Sequence, residues 1–107
     1  MANTKEAMYR NKYLNLVAKL HQKGYQVKLV DSRSLRDYAG MNPEAAKDFG
    51  KSFEPNTYEI DGGLNWEKKY TTLVHEINEH QSMKNGDPYW KAHCKALRDE
   101  YRVGGIS

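Results

Sequence analysis

Apolar residues recur every three or four positions along the first part of the chain, between Thr4 and Gly24. The residues of this stripe are Tyr9, Tyr13, Leu16, Val17 and Leu20. Such spacing places the apolar side chains on one face of an α-helix. Because glycine is common just beyond the last helical turn, we expect an amphipathic helix that begins near Thr4 and ends at Gly24.

Two short stretches alternate apolar and polar residues, which is the period of a half-buried β-strand. The first covers residues 25–30, and its alternation holds until Val30. The second covers residues 57–61, in which Tyr58 and Ile60 fall on the same side. Both stretches are followed by residues that favour turns, so we expect two short strands.

The region between the strands, residues 31–55, has the weakest pattern of the chain. It contains a possible helical turn over residues 34–38 and a short helix for which Asn42 is the cap and Pro43 the first residue. We interpret the region as a connection between the two strands. A rim that faces a substrate is the alternative interpretation.

A longer helical pattern runs from Trp66 to Met83, with Asn65 in the position of an N-cap. A turn that contains glycine follows, and Asp87 with Pro88 then has the pattern of a second helix start. We expect this last helix to extend to about residue 102. Because so tight a turn joins them, the two helices should be antiparallel neighbours.

The composition limits the hydrophobic core. Only 38% of the 107 residues are hydrophobic and the mean hydropathy is −0.95, so eight Tyr, two Trp and two Phe must supply much of the core. A chain of this length is expected to form one domain, here residues 1–107. The order of elements predicts an α+β fold, with an N-terminal helix, a strand and a variable segment in residues 1–56, and a strand and the antiparallel helix pair in residues 57–103.

Charge, cysteine content and the lack of long apolar stretches argue against a nucleic-acid partner, an internal disulfide and a membrane helix. The 17 basic and 14 acidic residues give a net charge of +3 and are scattered along the chain, so we do not expect nucleic acid as a partner. Cys94 is the only cysteine, which rules out a disulfide within the chain. No apolar stretch reaches the about 20 residues of a membrane helix, and no signal-peptide pattern is present. We therefore expect a cytoplasmic protein without a membrane partner.

The candidate chemistry lies in the helix that begins at Trp66, within the sequence TTLVHEINEH. Residues four apart share a helix face, so His75 and Glu79 point the same way. Leu73 and Ile77 lie on a different face, which we expect to pack against the body of the protein. Imidazole nitrogen and carboxylate oxygen are both ligands of zinc, so His75 and Glu79 predict part of a metal site. Pairs of this kind also stabilise helices without a metal, and that interpretation stays open.

We expect two further residues of the same helix to have other roles. Glu76 lies about 60° from Glu79 around the helix, close enough to act as a general base beside the metal ligands. His80 lies about 140° from His75 and is therefore not expected to be a ligand. It is instead a candidate, together with Tyr89, for stabilising an oxyanion.

His93 in the last helix is the candidate third ligand. At about 1.5 Å per residue, His93 lies about 9 Å from the start of its helix, while His75 and Glu79 lie about 12 and 6 Å from the end of theirs, so the three reach a common level. Two imidazoles and a carboxylate with one open position are typical of a catalytic zinc site. Another divalent metal is possible, including iron in a mononuclear site. Glu100, two turns beyond His93, is expected to orient a ligand through a hydrogen bond, and the alternative is that it provides a fourth ligand.

The segment YEIDGGLNWEKKYTTLVHEINEH resembles the core of small zincin-like metallopeptidase domains, in which a strand precedes a helix that opens with T-L-x-H-E. The following MKNGDPYWKAHCKALRDE is similar to proteins of phages and mobile elements that carry an H-E-x-x-E motif followed by an Ala-His pair. The resemblance covers about half of the chain. It implies a zincin-like fold, His75, Glu79 and His93 as metal ligands, Glu76 as the base, and supporting positions that include Tyr89 and Glu100.

These observations predict a zinc-dependent hydrolase that resembles a metallopeptidase and acts on a peptide or protein substrate. The alternative is a phage-type binding or inhibitor protein that keeps a similar scaffold without catalysis and binds a host protein. In that case Trp66, Trp90 and Tyr101 are the candidates for its interface, because Trp and Tyr are enriched in binding hot spots.

Overall fold

A computed structural model describes residues 4–35, 38–48 and 55–103, and side chains within them except those of residues 48 and 100–103. The described residues form four α-helices and a three-stranded mixed sheet, which confirms the predicted α+β class. The helices are α1 (Thr4–Gln22), α2 (Pro43–Asp48), α3 (Trp66–Lys84) and α4 (Tyr89–Val103). The strands are β1 (Gln26–Val30), β2 (Gly40–Met41) and β3 (Thr57–Asp61), and a short 3-10 helix covers Ser32–Leu35. None of the helices in these ranges is both long and apolar enough to cross a membrane.

The central strand of the sheet is β3, with β1 and β2 on either side. β1 runs parallel to β3, from the pair Gln26 and Thr57 to the pair Val30 and Asp61. β2 is antiparallel to β3 and pairs Gly40 with Ile60. The sequence pattern predicts β1 and β3 but not β2, because two residues are too few to show a period.

Gly40 brings the edge of the sheet close to α3. A Cβ atom at this position would lie 2.9 Å from Cγ2 of Thr72 and 3.1 Å from Cγ of Glu76. The first distance is shorter than real Cβ contacts and the second is tighter than most of them, so a larger residue would displace the α3 side chains. β2 can therefore lie directly against the face of α3 that carries the candidate ligands.

The main core lies between α1, the sheet and α3, and confirms that α1 packs through its apolar stripe. Its buried members are Tyr13, Leu20, Tyr58, Ile60 and Leu73. α1 ends near the predicted glycine, since Gly24 has a φ of 90° and Tyr25 N–H donates to the carbonyl of Leu20. This core fixes the position of α3 from the side opposite its ligands.

The N-terminus of α3 is capped from two directions. Asn65 accepts a hydrogen bond from the Lys68 N–H at 2.8 Å, as expected for the predicted N-cap. The carboxylate of Glu6, in the first turn of α1, accepts from the N–H groups of Trp66 at 2.7 Å and Glu67 at 3.3 Å. A negative charge at a helix N-terminus is favourable, so α1 stabilises the start of the helix that carries the candidate site.

The turn between α3 and α4 differs in detail from the prediction. The sequence predicts Asp87 as the cap of α4, but the first carbonyl to accept from that helix is that of Pro88, from the Ala92 N–H at 3.0 Å. The carboxylate of Asp87 instead accepts from Ser82 Oγ and from Lys95 Nζ, the latter at 2.7 Å. Asp87 therefore joins the end of α3 to the second turn of α4 rather than capping α4.

The two helices are antiparallel, as predicted. Near the turn, Ser82 contacts Asp87, and further from the turn Asn78 donates to Asp99 at 3.3 Å. Ala92 and Ala96 of α4 are fully buried, and their small side chains allow close approach to α3. This close approach brings His93 to the ligand face of α3.

The region between β1 and β3 is more than the predicted connection. A second core contains Leu35, Met41, Ala45 and Ala46, all buried. Asn42 caps α2 as predicted, because its Oδ1 accepts from the N–H groups of residues 44 and 45 at 2.8 and 2.9 Å. The interpretation as a plain connection is wrong for residues 38–48, since these residues form β2, α2 and a wall of the candidate site.

Candidate metal centre

His75 and Glu79 lie on one face of α3, as the helical spacing predicts. Their side chains are almost completely buried, with residue exposures of 4% and 2%. His75 Nε2 lies 3.1 Å from Glu79 Oε2. The helix therefore presents an imidazole nitrogen and a carboxylate oxygen to the same point.

His93 supplies a third atom from α4. Its Nδ1 lies 2.8 Å from Glu79 Oε2 and 3.2 Å from His75 Nε2. The side chain of His93 is 37% exposed, whereas the two partners from α3 are buried. The three predicted ligands thus meet in a triangle of donor atoms, and two of them are buried side chains while the third is partly exposed.

The geometry of this triangle fits a small divalent cation. Ligand atoms about 2.0–2.2 Å from a tetrahedral zinc lie roughly 3.3–3.6 Å from one another. The three observed separations of 2.8 to 3.2 Å are somewhat shorter, so a small opening of the triangle would admit the ion. A hydrogen bond requires two atoms to approach, but here three atoms converge. Among the described residues this is the one group of three His, Cys, Asp or Glu side chains that can hold a metal ion. The chemistry of the donors, two nitrogens and one oxygen, is also that of zinc.

Asn42 orients the buried carboxylate and was not predicted as a site residue. Its Nδ2 donates to Glu79 Oε1 at 2.7 Å, which leaves Oε2 for the two histidines. Asn42 is 0% exposed and uses its other amide atom, Oδ1, to cap α2. The sequence contains the signal for the cap but none for the contact with Glu79, because the two residues are 37 positions apart.

Glu76, the predicted base, lies beside the donor triangle. Its Oε2 is 3.9 Å from His75 Nε2, and the residue is only 5% exposed. The Cγ of Glu76 is one of the atoms that a larger residue at Gly40 would contact, so the sheet edge packs closely against this side chain. The carboxylate is adjacent to the three donors without being one of them.

Tyr89 stacks on the outer histidine. The rings of Tyr89 and His93 are 5.5 Å apart with an interplanar angle of 23°. Burial raises the pKa of the Tyr89 hydroxyl, and the negative charges of Glu79 and Glu76 raise it further. The hydroxyl therefore keeps its proton at neutral pH and is a hydrogen-bond donor at the edge of the site.

His80, the second candidate for an oxyanion donor, lies away from the donor triangle. Its Nδ1 shares a hydrogen bond of 2.6 Å with the hydroxyl of Tyr58, and its ring packs edge-on against Tyr25. Burial lowers the pKa of His80 to about 4, an effect to which the charge of Lys84 adds. The structure therefore places a neutral histidine in the core.

The side chain of Glu100, the predicted orienting residue, lies outside the described side chains.

The donor triangle opens into a cleft of about 270 Å³. One wall is formed by residues 38–40 at the sheet edge, and the others come from Leu64 and from residues of α3 and α4. His75, Glu76, Tyr89 and His93 all line it, whereas His80 does not. Two shallower depressions of 430 and 440 Å³ lie elsewhere, around Tyr25 and around Asp31, but neither contains a group of metal-binding side chains among the described residues. We therefore assign the candidate site to the smaller cleft.

Comparison of the chain with protein-family models, with curated proteins and with solved structures found no match. The resemblance to zincin-like domains thus stays a prediction.

Proposed function

We propose that the protein is a metal-dependent hydrolase, with zinc as its metal and a peptide or protein as its substrate. The observation that carries the proposal is the convergence of His75, Glu79 and His93 at 2.8 to 3.2 Å beside the carboxylate of Glu76. Two imidazoles, a carboxylate and an adjacent general base are the protein groups that zinc hydrolases use. The open cleft gives a substrate access to these groups.

Each residue has a role that follows from its position. When bound by such donors, zinc supplies Lewis acidity and makes water a nucleophile at neutral pH. Glu76 accepts the proton of the attacking water and then delivers it to the leaving amine. Tyr89 donates its O–H to the carbonyl oxygen as negative charge develops there. Asn42 fixes Glu79 so that the same oxygen always faces the two histidines.

The sheet edge at the cleft supports a peptide as the substrate. Residues 38–40 lead into and begin β2, one of the two outer strands of the sheet, and all three line the cleft. Extended peptides commonly bind beside the edge of a sheet, where backbone groups offer hydrogen bonds at a regular spacing. A peptide in this position would pass its backbone across the donor triangle.

The first test of the proposal is metal content. Elemental mass spectrometry on protein purified without chelator should give about one zinc per chain for the wild type and far less for His75→Ala. His21→Ala is the matched control, because His21 is an exposed histidine of α1 outside the cleft. Wild-type protein that remains metal-free after zinc addition and dialysis would contradict the proposal.

The second test separates catalysis from metal binding. Glu76→Gln keeps the size of the side chain and removes its basicity, so peptide hydrolysis should fall by about a hundredfold or more while zinc content is unchanged. Turnover would be measured with a mixture of unstructured peptides, followed by mass spectrometry. Undiminished hydrolysis by Glu76→Gln would remove this residue from the role of base.

A binding protein without catalysis is the second candidate function, and one aromatic residue favours it. Trp90 is 69% exposed, whereas Trp66 packs against Tyr13 with ring centroids 5.7 Å apart. Trp66 is therefore part of the core, and the side chain of Tyr101 lies outside the described ones. Binding of a host protein that is lost in Trp90→Ala but retained in a His75→Ala/His93→Ala double variant would favour this function over hydrolysis.

A further inference from the structure

Lys68 is a positively charged residue in the wall of the candidate cleft. It lines the same cleft as His75 and Glu76 and is exposed. The ammonium groups of the other two lysines of α3 have partners, since Lys69 donates to a backbone carbonyl and Lys84 to the hydroxyl of Tyr25. No carboxylate among the described residues pairs with Lys68. Lys68 is therefore an exposed lysine in the cleft wall that has no carboxylate partner among the described residues.

The position of Lys68 on α3 sets its distance from the ligands. Seven residues separate it from His75, which is about two helical turns, so the two side chains share a face about 10 Å apart along the axis. Thr72 lies between them on that face and also lines the cleft. α3 thus presents a row that begins with a cation and ends with the donor triangle.

The two ends of the cleft differ in charge. Glu76 and Glu79 place two carboxylates at the donor end, while Lys68 lies toward the other end. Leu64 and Leu97 add apolar wall, and neither brings a charge. A substrate with one negative group is therefore favoured in the orientation that places this group near Lys68 and the neutral amide bond near the donors.

We propose that Lys68 binds a carboxylate of the substrate, about three residues of extended peptide from the bond that is cut. The position of the cut bond rests on the proposed hydrolase function, but the preference for a carboxylate rests on Lys68 alone. The cleft volume of 270 Å³ is at the lower end of ligand sites, which are commonly about 300–1,000 Å³, so the bound part of the substrate is short. The carboxylate is either the C-terminus of a peptide or an acidic side chain within it.

Three acetylated tetrapeptides of alanine and leucine distinguish these sources. One ends in a carboxylate, the second ends in an amide, and the third ends in an amide but has Glu as its last residue. Binding would be measured by NMR titration with metal-free protein and again with zinc, in a Glu76→Gln background that prevents cleavage. The variants are Lys68→Met, which removes the charge, and Lys68→Arg, which keeps it. Lys19→Met is the matched control, because Lys19 is an exposed lysine of α1 outside the cleft.

We expect the peptide with a C-terminal carboxylate to bind about fivefold more tightly than its amide, the upper end for an exposed ion pair. This ratio should fall to about one in Lys68→Met and persist in Lys68→Arg and Lys19→Met. Tight binding of the third peptide would identify an acidic side chain as a sufficient source of the carboxylate, and weak binding would identify the C-terminus.

Equal binding of all three peptides, binding of none, or an acid preference that survives in Lys68→Met would overturn the proposal. The metal-free titration decides the question even if the protein retains no zinc and the proposed hydrolase function fails. Conversely, zinc-dependent hydrolysis with no preference for a carboxylate would leave the hydrolase function intact and remove the role of Lys68.

Discussion

Asn42 shows how a single buried side chain can serve two elements. Its Oδ1 caps α2, and its Nδ2 holds Glu79 at 2.7 Å. A buried carboxylate without such a donor would rotate or lose its preferred geometry, because hydrogen bonds to a ligand fix its orientation. The short helix and the metal ligand therefore depend on the same residue.

The contribution of Asn42 can be measured with Asn42→Ser. Serine is also a good N-cap, so α2 is expected to remain, but the donor to Glu79 is lost. Zinc affinity should fall by about 10- to 100-fold, as is usual when a group that orients a ligand is removed. Competition with a fluorescent chelator would measure the affinity. Asn65→Ser is the control, since Asn65 caps α3 and does not contact the donors; equal affinities in the two variants would contradict the role of Asn42.

At the residue scale, the sequence predicts a side chain well when its partners are near in the chain. His75 and Glu79 are four residues apart on one helix, so their meeting follows from helical geometry alone. Asn42 and Gly40 act on α3 through contacts that depend on the tertiary fold, and no local pattern reports them. His80 shows the converse. It is next to Glu79 in sequence, but its side chain bonds to Tyr58 in the core and does not join the donors.

At the scale of elements, Asp87 connects α3 to α4 and so helps to hold His93 in position. Hydrogen bonds from Lys95 and Ser82 lower the pKa of its carboxyl to about 2. An unfolded Asp has a pKa of about 3.9, so the unfolded state binds more protons between the two values. The stabilisation that the Asp87 carboxylate gives to the folded state is therefore present above pH about 4 and is lost as the pH falls toward 2.

Asp87→Asn tests this connection. The variant should unfold at a lower urea concentration than the wild type at pH 6, and the difference should shrink steadily between pH 4 and pH 2, a window that follows from the two pKa values. Circular dichroism during urea titration would give the midpoints. A Lys95→Met variant should reduce the pH dependence as well, because it removes the strongest cause of the lowered pKa. A difference between Asp87→Asn and wild type that is independent of pH would rule out this origin.

The sequence predicts a helix or strand more accurately when the element is long and begins at a recognisable cap. α3 has 19 residues and begins at a cap that the sequence shows, so its start is predicted to the residue. α4 begins one residue later than predicted, because Asp87 binds side chains instead of backbone N–H groups. β2 has only two residues and is a strand because it pairs with β3, so the sequence shows no strand pattern there.

At the scale of the whole molecule, the donor triangle joins two helices of a domain with little apolar material. A metal that binds only the folded state adds its binding free energy to the free energy of unfolding. Zinc at about 100 times its dissociation constant would contribute about 2.7 kcal/mol. For a domain of this size that corresponds to a rise in melting temperature of roughly 10–20 °C.

His93→Ala should abolish this rise. The side chain of His93 is 37% exposed, so its removal leaves the buried core in place and the variant is expected to fold without zinc. Differential scanning calorimetry with and without zinc would show a large shift for the wild type and for His21→Ala, and almost none for His93→Ala. An equal shift in all three proteins would place the zinc at another site.

The contacts of the site span very different distances along the chain. The histidines of the donor triangle are 18 residues apart, whereas Asn42 and Glu79 are 37 apart and Glu6 and Trp66 are 60 apart. Closing a short segment costs less chain entropy than closing a long one. During folding, the helical hairpin that carries the donors can therefore assemble before the contacts that orient and cap it. The groups that attract the metal are brought together by local structure, and the groups that hold them still arrive only when the rest of the domain has formed.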